Sequence, residues 1–265
     1  MECKNCNTSL TLESDYCHVC GGKVIRNRLT IKHLLGYFTE TFLNYDNKFL
    51  QTFISLFTKP DDVIGSYING TRKKYVNVIS YFAIALTITG IEWYILNTFF
   101  PDLIDMSSVA AKGQEALANE SVSFVQDYIS IVLMLFVPVY ALMSKLVFFT
   151  LKKYNYTEHL VIFMYIIAQI SIFGALINLT GVIIGIPLGH LVYINGPFQL
   201  IFSAYCLKKL YNLSIKGLLL RTLLFLVIFL LFFILFSALV VVVNIVMHGG
   251  VDAFMEAQKS KIQTP

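Results

Sequence analysis

Charge is what this chain has least of. Only 14% of its 265 residues are Asp, Glu, Lys or Arg, against a hydrophobic share of 57%, whereas soluble domains run nearer about a quarter charged. So few charges cannot clothe a water-facing surface, and the apolar residues fall in long runs, which excludes a soluble core as the main body. The signatures of familiar enzymes are also missing. There is no H-E-x-x-H, G-x-S-x-G, P-loop or G-x-G-x-x-G, the five histidines are scattered, and no pair of carboxylates within the apolar runs suggests acid and base work. We therefore expect no enzyme activity. The basic residues gather at the ends of apolar runs and form no face of their own, which excludes nucleic acid as an expected partner. A cleavable signal needs a basic start and an apolar stretch, where this chain opens with polar residues and cysteines, so the N-terminus is expected to remain in the mature protein.

Cysteine is scarce but concentrated. Four of the five lie within the first twenty residues, as Cys3-Lys-Asn-Cys6 and Cys17-His-Val-Cys20-Gly21-Gly22, and Cys206 sits in an apolar run. Each C-x-x-C pair can present two thiolates to one ion, and tetrahedral Zn²⁺ takes four. This is the spacing of a short zinc ribbon, and it argues against a secreted disulfide framework; a redox pair would normally occur once, inside a βαβ pattern absent here. Cys3, Cys6, Cys17 and Cys20 are thus the expected ligands of about one structural zinc per chain, in a closed site with no position left for a reactive water. Gly21 and Gly22 suit the positive-φ turn of a knuckle, with His18 as a knuckle residue and not a ligand.

The expected fold class is an all-α polytopic membrane protein of about five transmembrane helices behind this small N-terminal ribbon. Residues 1–27 form the ribbon. Residues 28–74 form cytoplasmic amphipathic helices, with Leu34, Leu35, Phe38 and Phe42 on one stripe and Phe49, Leu50, Phe53, Ile54 and Phe57 on the next, broken near Asn44 to Asn47. Pro60 ends the second, and Asp61 or Asp62 caps a shorter helix that stops at Asn69 and Gly70. Such stripes lie in the membrane interface or against neighbouring helices. The span bundle occupies 75–247, with spans at about 75–100, 128–151, 160–179, 191–210 and 218–247, and 248–265 is an external tail.

Lys and Arg placement orients it. Arg72, Lys73 and Lys74 precede the first span, Lys152 and Lys153 follow the second, and Lys208, Lys209 and Lys216 join the fourth to the fifth, so these segments belong in the cytoplasm. The alternate connections are poor in Lys and Arg. The N-terminus is then cytoplasmic, the C-terminus outside, and Arg72, Lys73 and Lys74 lie against the anionic membrane surface.

Polar residues within spans invite a functional reading. Glu92 stands beside Trp93 and Tyr94 and is expected to reach the headgroups, with pairing or proton relay as the alternative. Lys145 and Arg221 are expected to snorkel as anchors. Gln169, Asn178, His190, Asn195 and Gln199 cluster around the third and fourth spans, where amides hydrogen-bond across helices; with Glu92 they make up a possible intramembrane polar site. Gly181, Gly185 and Gly189 recur around Pro187, and Gly196-Pro197 follows, which suits close helix approach or else a broken helix lining a cavity.

One order of features is familiar. The Cys20-Gly21 ribbon end is followed by Arg28-Leu29-Thr30, a helix, Asn44 and Asp46 near Phe49, Thr52 and Phe57, then Pro60, Ile64, Tyr67, Gly70, Arg72 and Tyr75. In this the chain resembles the domain of unknown function 3667 family, bacterial zinc-ribbon membrane proteins without an assigned activity. It departs with His18 where Pro is usual, Gly22 where Gln is common and Val78 where Pro often stands. The span architecture is also similar to Yip-type proteins, which carries no function. The resemblance implies the bacterial inner membrane. We expect a non-enzymatic scaffold or docking platform there, with the lipid bilayer and a protein partner at the ribbon as its contacts and homo-oligomers as a further possibility. The alternative is a small transporter or channel using the polar residues of the bundle.

Overall fold

The structure is a computed structural model that describes residues 1–11, 13–22, 24, 30–31, 48–104 and 128–247, with side chains as far as Leu235. It divides into two compact units, Met1–Lys48 and Phe49–Pro265. The expected stripe at Leu34, Leu35, Phe38 and Phe42, the break at Asn44 to Asn47, most of the residues joining the first two spans and the tail all lie outside the described residues.

The described part of the first unit is chiefly two small hairpins built alike. Leu10 N–H bonds Met1 O and Cys3 N–H bonds Thr8 O; Val24 N–H bonds Asp15 O and Cys17 N–H bonds Gly22 O. Every pairing of the first hairpin recurs fourteen positions on. Cys3, Leu10 and Cys17 are its buried residues, with Cys6 and Val24 packed on them. Among the described residues of this unit, two aliphatic side chains are too little core to hold the hairpins alone, which leaves a part for the sulfurs.

The second unit is helical throughout its described residues apart from turns. Helix α1 (Lys48–Thr58) and α2 (Pro60–Ile68) meet at Lys59. Pro60 occupies the first turn of α2, Lys59 is the N-cap with no side-chain cap bond, and Asp61 and Asp62 fall in the first turn. The aspartates therefore favour the helix through its dipole rather than as caps. Asn69 closes the helix and Gly70 turns the chain at φ +92. Of the two settings expected for the second amphipathic stripe, α1 takes the protein one: its Phe57 ring packs edge-on against Phe173 and Phe202, each 5.4 Å away.

Four described helices are long and apolar enough to cross a membrane: α3 (Val78–Phe99), α4 (Ile129–Val147), α5 (Tyr156–Ile183) and the segment Ile215–Leu235 of α7 (Ile215–Met247). Asn77 caps α3 by accepting Ser80 N–H at 2.9 Å, and Asn155 and Glu158 close a capping box on α5. The fourth expected span, about 191–210, is α6 (Leu188–Tyr211). At 24 residues it reaches about 36 Å at 1.5 Å per residue, enough for a 30 Å core. It is not among the four because His190, Asn195, Gln199, Lys208 and Lys209 dilute its apolar content.

Side-chain pairs give the helix directions. Gly181 faces Leu191, Asn178 bonds Asn195, Phe173 meets Phe198 and His159 bonds Tyr211, so α6 runs back along the whole of α5. Tyr81 bonds Gln169, Glu92 bonds Asn178 and Leu96 packs with Val182, so α3 and α5 are parallel. Tyr140 stacks on Phe229 while Phe148 lies under Arg221, so α4 and α7 are antiparallel. The chain thus alternates direction at each successive helix from α3 to α7. The core runs through this bundle, and α5 supplies twelve of the buried residues, including Ile162, Ile166, Ala168 and Ile172. No residue of Ile215–Leu235 in α7 is buried.

Candidate functional site

Cys3, Cys6, Cys17 and Cys20 converge in the first unit with their Sγ atoms all within 4.8 Å of one another. Cys3 to Cys20 and Cys6 to Cys17 are both 3.6 Å. All four are free thiols, far beyond the ~2.05 Å of a disulfide. A tetrahedron of Zn–S bonds of about 2.3 Å puts its sulfurs roughly 3.8 Å apart, so the donor set fits such an ion, and the group can hold a metal.

The knuckles explain the convergence. Asn7 N–H bonds Cys3 O and Gly21 N–H bonds Cys17 O, each at 2.8 Å, and these two residues take φ 57 and φ 69. Gly21 does what its sequence position suggested, while Gly22 is not among the positive-φ glycines. The first knuckle uses Asn7, which sequence reasoning passed over; the signal was an Asn directly after Cys6, since Asn is the side chain that tolerates this region best. The Asn5 side chain, followed by Gly22 N–H, brings the Cys20 thiol down to about 6.

In the bundle, the polar residues separate into groups. Glu92 is 4% exposed and accepts from Asn178 Nδ2 at 2.7 Å, and Asn195 Nδ2 donates to Asn178 Oδ1 at 2.8 Å. The expected reach of Glu92 to the headgroups is therefore corrected. It falls on the same face of α3 as Val78, Tyr81, Ala85, Thr89 and Leu96, the buried stripe, and that 3–4 residue spacing was visible in the sequence. Asn195 Oδ1 and Thr89 Oγ1 are buried without a hydrogen-bond partner among the described residues. Gln169 stands apart from this line: fully buried, it accepts from Tyr81 and donates to Phe53 O at 3.1 Å. His190 faces outward at the start of α6, and Gln199 lines a separate cavity.

The glycines also part company. A Cβ on Gly181 would sit 2.6 Å from Leu191, so this one serves close approach, whereas Gly185 takes φ +87 and ends α5. Its N–H bonds Val182 O, and Ile186 N–H bonds Gly181 O, the pattern of a helix stop. The Gly185 to Pro187 stretch is thus the α5–α6 turn and not a break within a span. Arg72 and Lys74 are partly engaged locally: Lys74 pairs with Asp62 at 2.6 Å and Arg72 lies 5.4 Å over the Tyr67 ring. Lys145 donates to Tyr154 O at 2.9 Å.

Residues 46–90 match the family described as protein of unknown function, DUF3667. This supports the resemblance drawn from the sequence. The DUF3667 stretch takes in α1, α2 and α3 as far as Gly90, where Asp62, Lys74 and Tyr75 lock the α2–α3 corner. The cysteine cluster and the later helices lie outside it. No curated protein and no solved structure matches the chain.

Proposed function

We propose that this chain is a non-enzymatic docking platform of the bacterial inner membrane, whose N-terminal module holds one structural zinc ion in the cytoplasm and offers the stapled surface to a protein partner. The approach of four thiol sulfurs to within 4.8 Å carries this reading. Thiolates favour zinc among the divalent ions they meet, and four of them saturate it, so the metal would supply folding energy and no open position for chemistry.

The orientation draws on the alternating helices. With α6 counted as a fifth crossing, because it returns along the whole of α5, the starts of α3, α5 and α7 and the ends of α4 and α6 share one side. Arg72, Lys73, Lys74, Lys152, Lys153, Lys208, Lys209 and Lys216 all belong to that side, which the positive-inside rule makes cytoplasmic.

The test is metal analysis of the purified chain together with affinity capture from mild detergent. The expected result is about one zinc per chain, lost in the Cys3→Ser, Cys6→Ser double variant along with the captured partner. A protease-resistant module without metal, or capture of no partner by the intact module, would count against the platform.

A second reading, a small transporter or channel, is favoured by the buried line Glu92, Asn178 and Asn195, since an intramembrane carboxylate is costly to keep. Flux in proteoliposomes separates the two. If Glu92→Gln and Asn178→Ala leave flux unchanged, the transport reading loses its residues.

A further inference from the structure

A cavity of about 350 Å³ lies between α4, α5, α6 and α7, walled chiefly by Phe, Leu and Ile side chains. Three observations bear on its occupant. The first is a crevice. α6 and α7 touch only sparsely, and Gly196, Ser203 and Ala204 on α6 leave room along it. Leu200 and Leu226, on the two lips, are each 41% exposed, so the cavity opens sideways between α6 and α7, toward the surroundings of the bundle.

The second is a cation. Arg221 lines the same cavity, six residues beyond the start of α7 at Ile215, or about 9 Å along that helix. Its guanidinium lies 5.4 Å from the centre of the Phe148 ring, and its Nε is buried without a hydrogen-bond partner among the described residues. It makes no salt bridge with a described residue. A simple anchor would carry its head into water with all donors satisfied. This one holds its Nε inside the protein, where an unused donor is expensive.

The third is the match in level. Leu218 and Arg221 mark the cavity's end on the Lys216 side, and Phe229 its far wall, so the apolar space extends about 16 Å along α7 from the basic end. One end carries the cation, and the rest is mainly hydrocarbon, with Tyr140, Gln199, Ser203 and Thr222 as its neutral polar side chains.

We propose that this crevice is a site for an anionic phospholipid of the surrounding bilayer, its phosphate on the Arg221 guanidinium and one acyl chain between α6 and α7. The cation selects the headgroup, because Arg221 is the one charged side chain among the lining residues and the polar ones beside it, Tyr140, Gln199, Ser203 and Thr222, are neutral. The lateral opening selects a lipid already in the membrane over a water-borne ligand.

Full-length protein purified in mild detergent, exchanged with phosphatidylglycerol or phosphatidylcholine and examined by native mass spectrometry, tests this. Wild type should retain phosphatidylglycerol preferentially. Arg221→Gln should lower that retention at least about fivefold, the scale of one basic residue facing anionic lipid, while the outward Lys216→Gln changes it little. Ala204→Phe, which fills the crevice, should remove both lipids. A phosphatidylglycerol with a photoactivatable acyl chain should label α6 and α7 in wild type, which holds the test open should Ala204→Phe fail to fold. Retention of neither lipid, equal retention of both with Arg221→Gln silent, retention of free fatty acid in place of phospholipid, or label confined to other helices would each overturn the proposal.

Discussion

Replacing Gln169 by Leu should loosen the bundle at its centre, and the structure says where the cost arises. Gln169 is fully buried, and it joins three helices by accepting from Tyr81 on α3 and donating to Phe53 O on α1 at 3.1 Å. The Phe53 carbonyl lies inside α1 and keeps its helical partner, so little is lost there. The Tyr81 hydroxyl is different: its residue is 0% exposed and, among the described residues, it bonds Gln169 alone. Orphaning a buried hydroxyl costs about 1–3 kcal/mol, so Gln169→Leu should destabilise by about that much. Tyr81→Phe should cost less, because it removes the hydroxyl and leaves only one lone pair of Gln169 Oε1 unmet. Removing both partners should be milder than the sum. Cycles between membrane helices average about 0.6 kcal/mol and reach about 1.7, and a bond sealed on all sides belongs toward the upper end. Unfolding of the full chain in mixed micelles titrated with SDS would measure all four states. Strict additivity of the two single variants, or a Gln169→Leu protein as stable as wild type, would refute the reasoning.

Three further outcomes follow from the geometry. Asn7→Gly should keep metal binding, while Asn7→Val, forced to φ 57 with a β-branched side chain, should weaken it, as read by chelator competition. Gly185→Ala should cost on the order of 1 kcal/mol, since φ +87 is strained for any L side chain, again read by unfolding in mixed micelles. The Lys74 ammonium, followed by the Tyr75 hydroxyl, holds the Asp62 carboxyl below its ordinary value. The stability this contributes is present above the unfolded value of about 3.9 and is lost as pH falls through the lower folded one. Both side chains are more than a third exposed, so Asp62→Asn should cost less than about 1 kcal/mol near neutral pH and nothing at strongly acid pH.

What could be read in the sequence was what local spacing encodes. Two C-x-x-C pairs say that four sulfurs can meet because each knuckle is a short-range object; even Asn7 was readable from its place after Cys6. Apolar runs mark helices by the same local logic, while the Asn77 and Asn155 caps that start α3 and α5 came from the structure. The face that Glu92 occupies was legible too, in the spacing of Tyr81, Ala85, Thr89 and Leu96, but the adjacent Trp93 and Tyr94 drew attention outward. Partnerships between helices were not legible. Gln169 meets Tyr81 and Phe53 only because α3 and α5 run parallel at one particular register, and nothing within either segment records its offset from the other. The glycine repeat shows the same limit: identical spacing hides one residue used for contact with Leu191 and another used to stop α5. Arg221 reads as an anchor until the missing wall between α6 and α7 is seen.

The absence of buried residues from Ile215–Leu235 of α7 has a consequence for assembly in time. Every buried residue of the described core precedes α7 in the chain, and so leaves the ribosome before α7 does. The earlier helices can therefore settle against one another while the groove beside α6 is still open along its length. α7 arrives afterwards and adds the second lip, so that a lipid resting against Phe163, Ile166 and Ala204 at that moment has the crevice completed around it. The order of synthesis would then load the crevice, with no later opening of the bundle required.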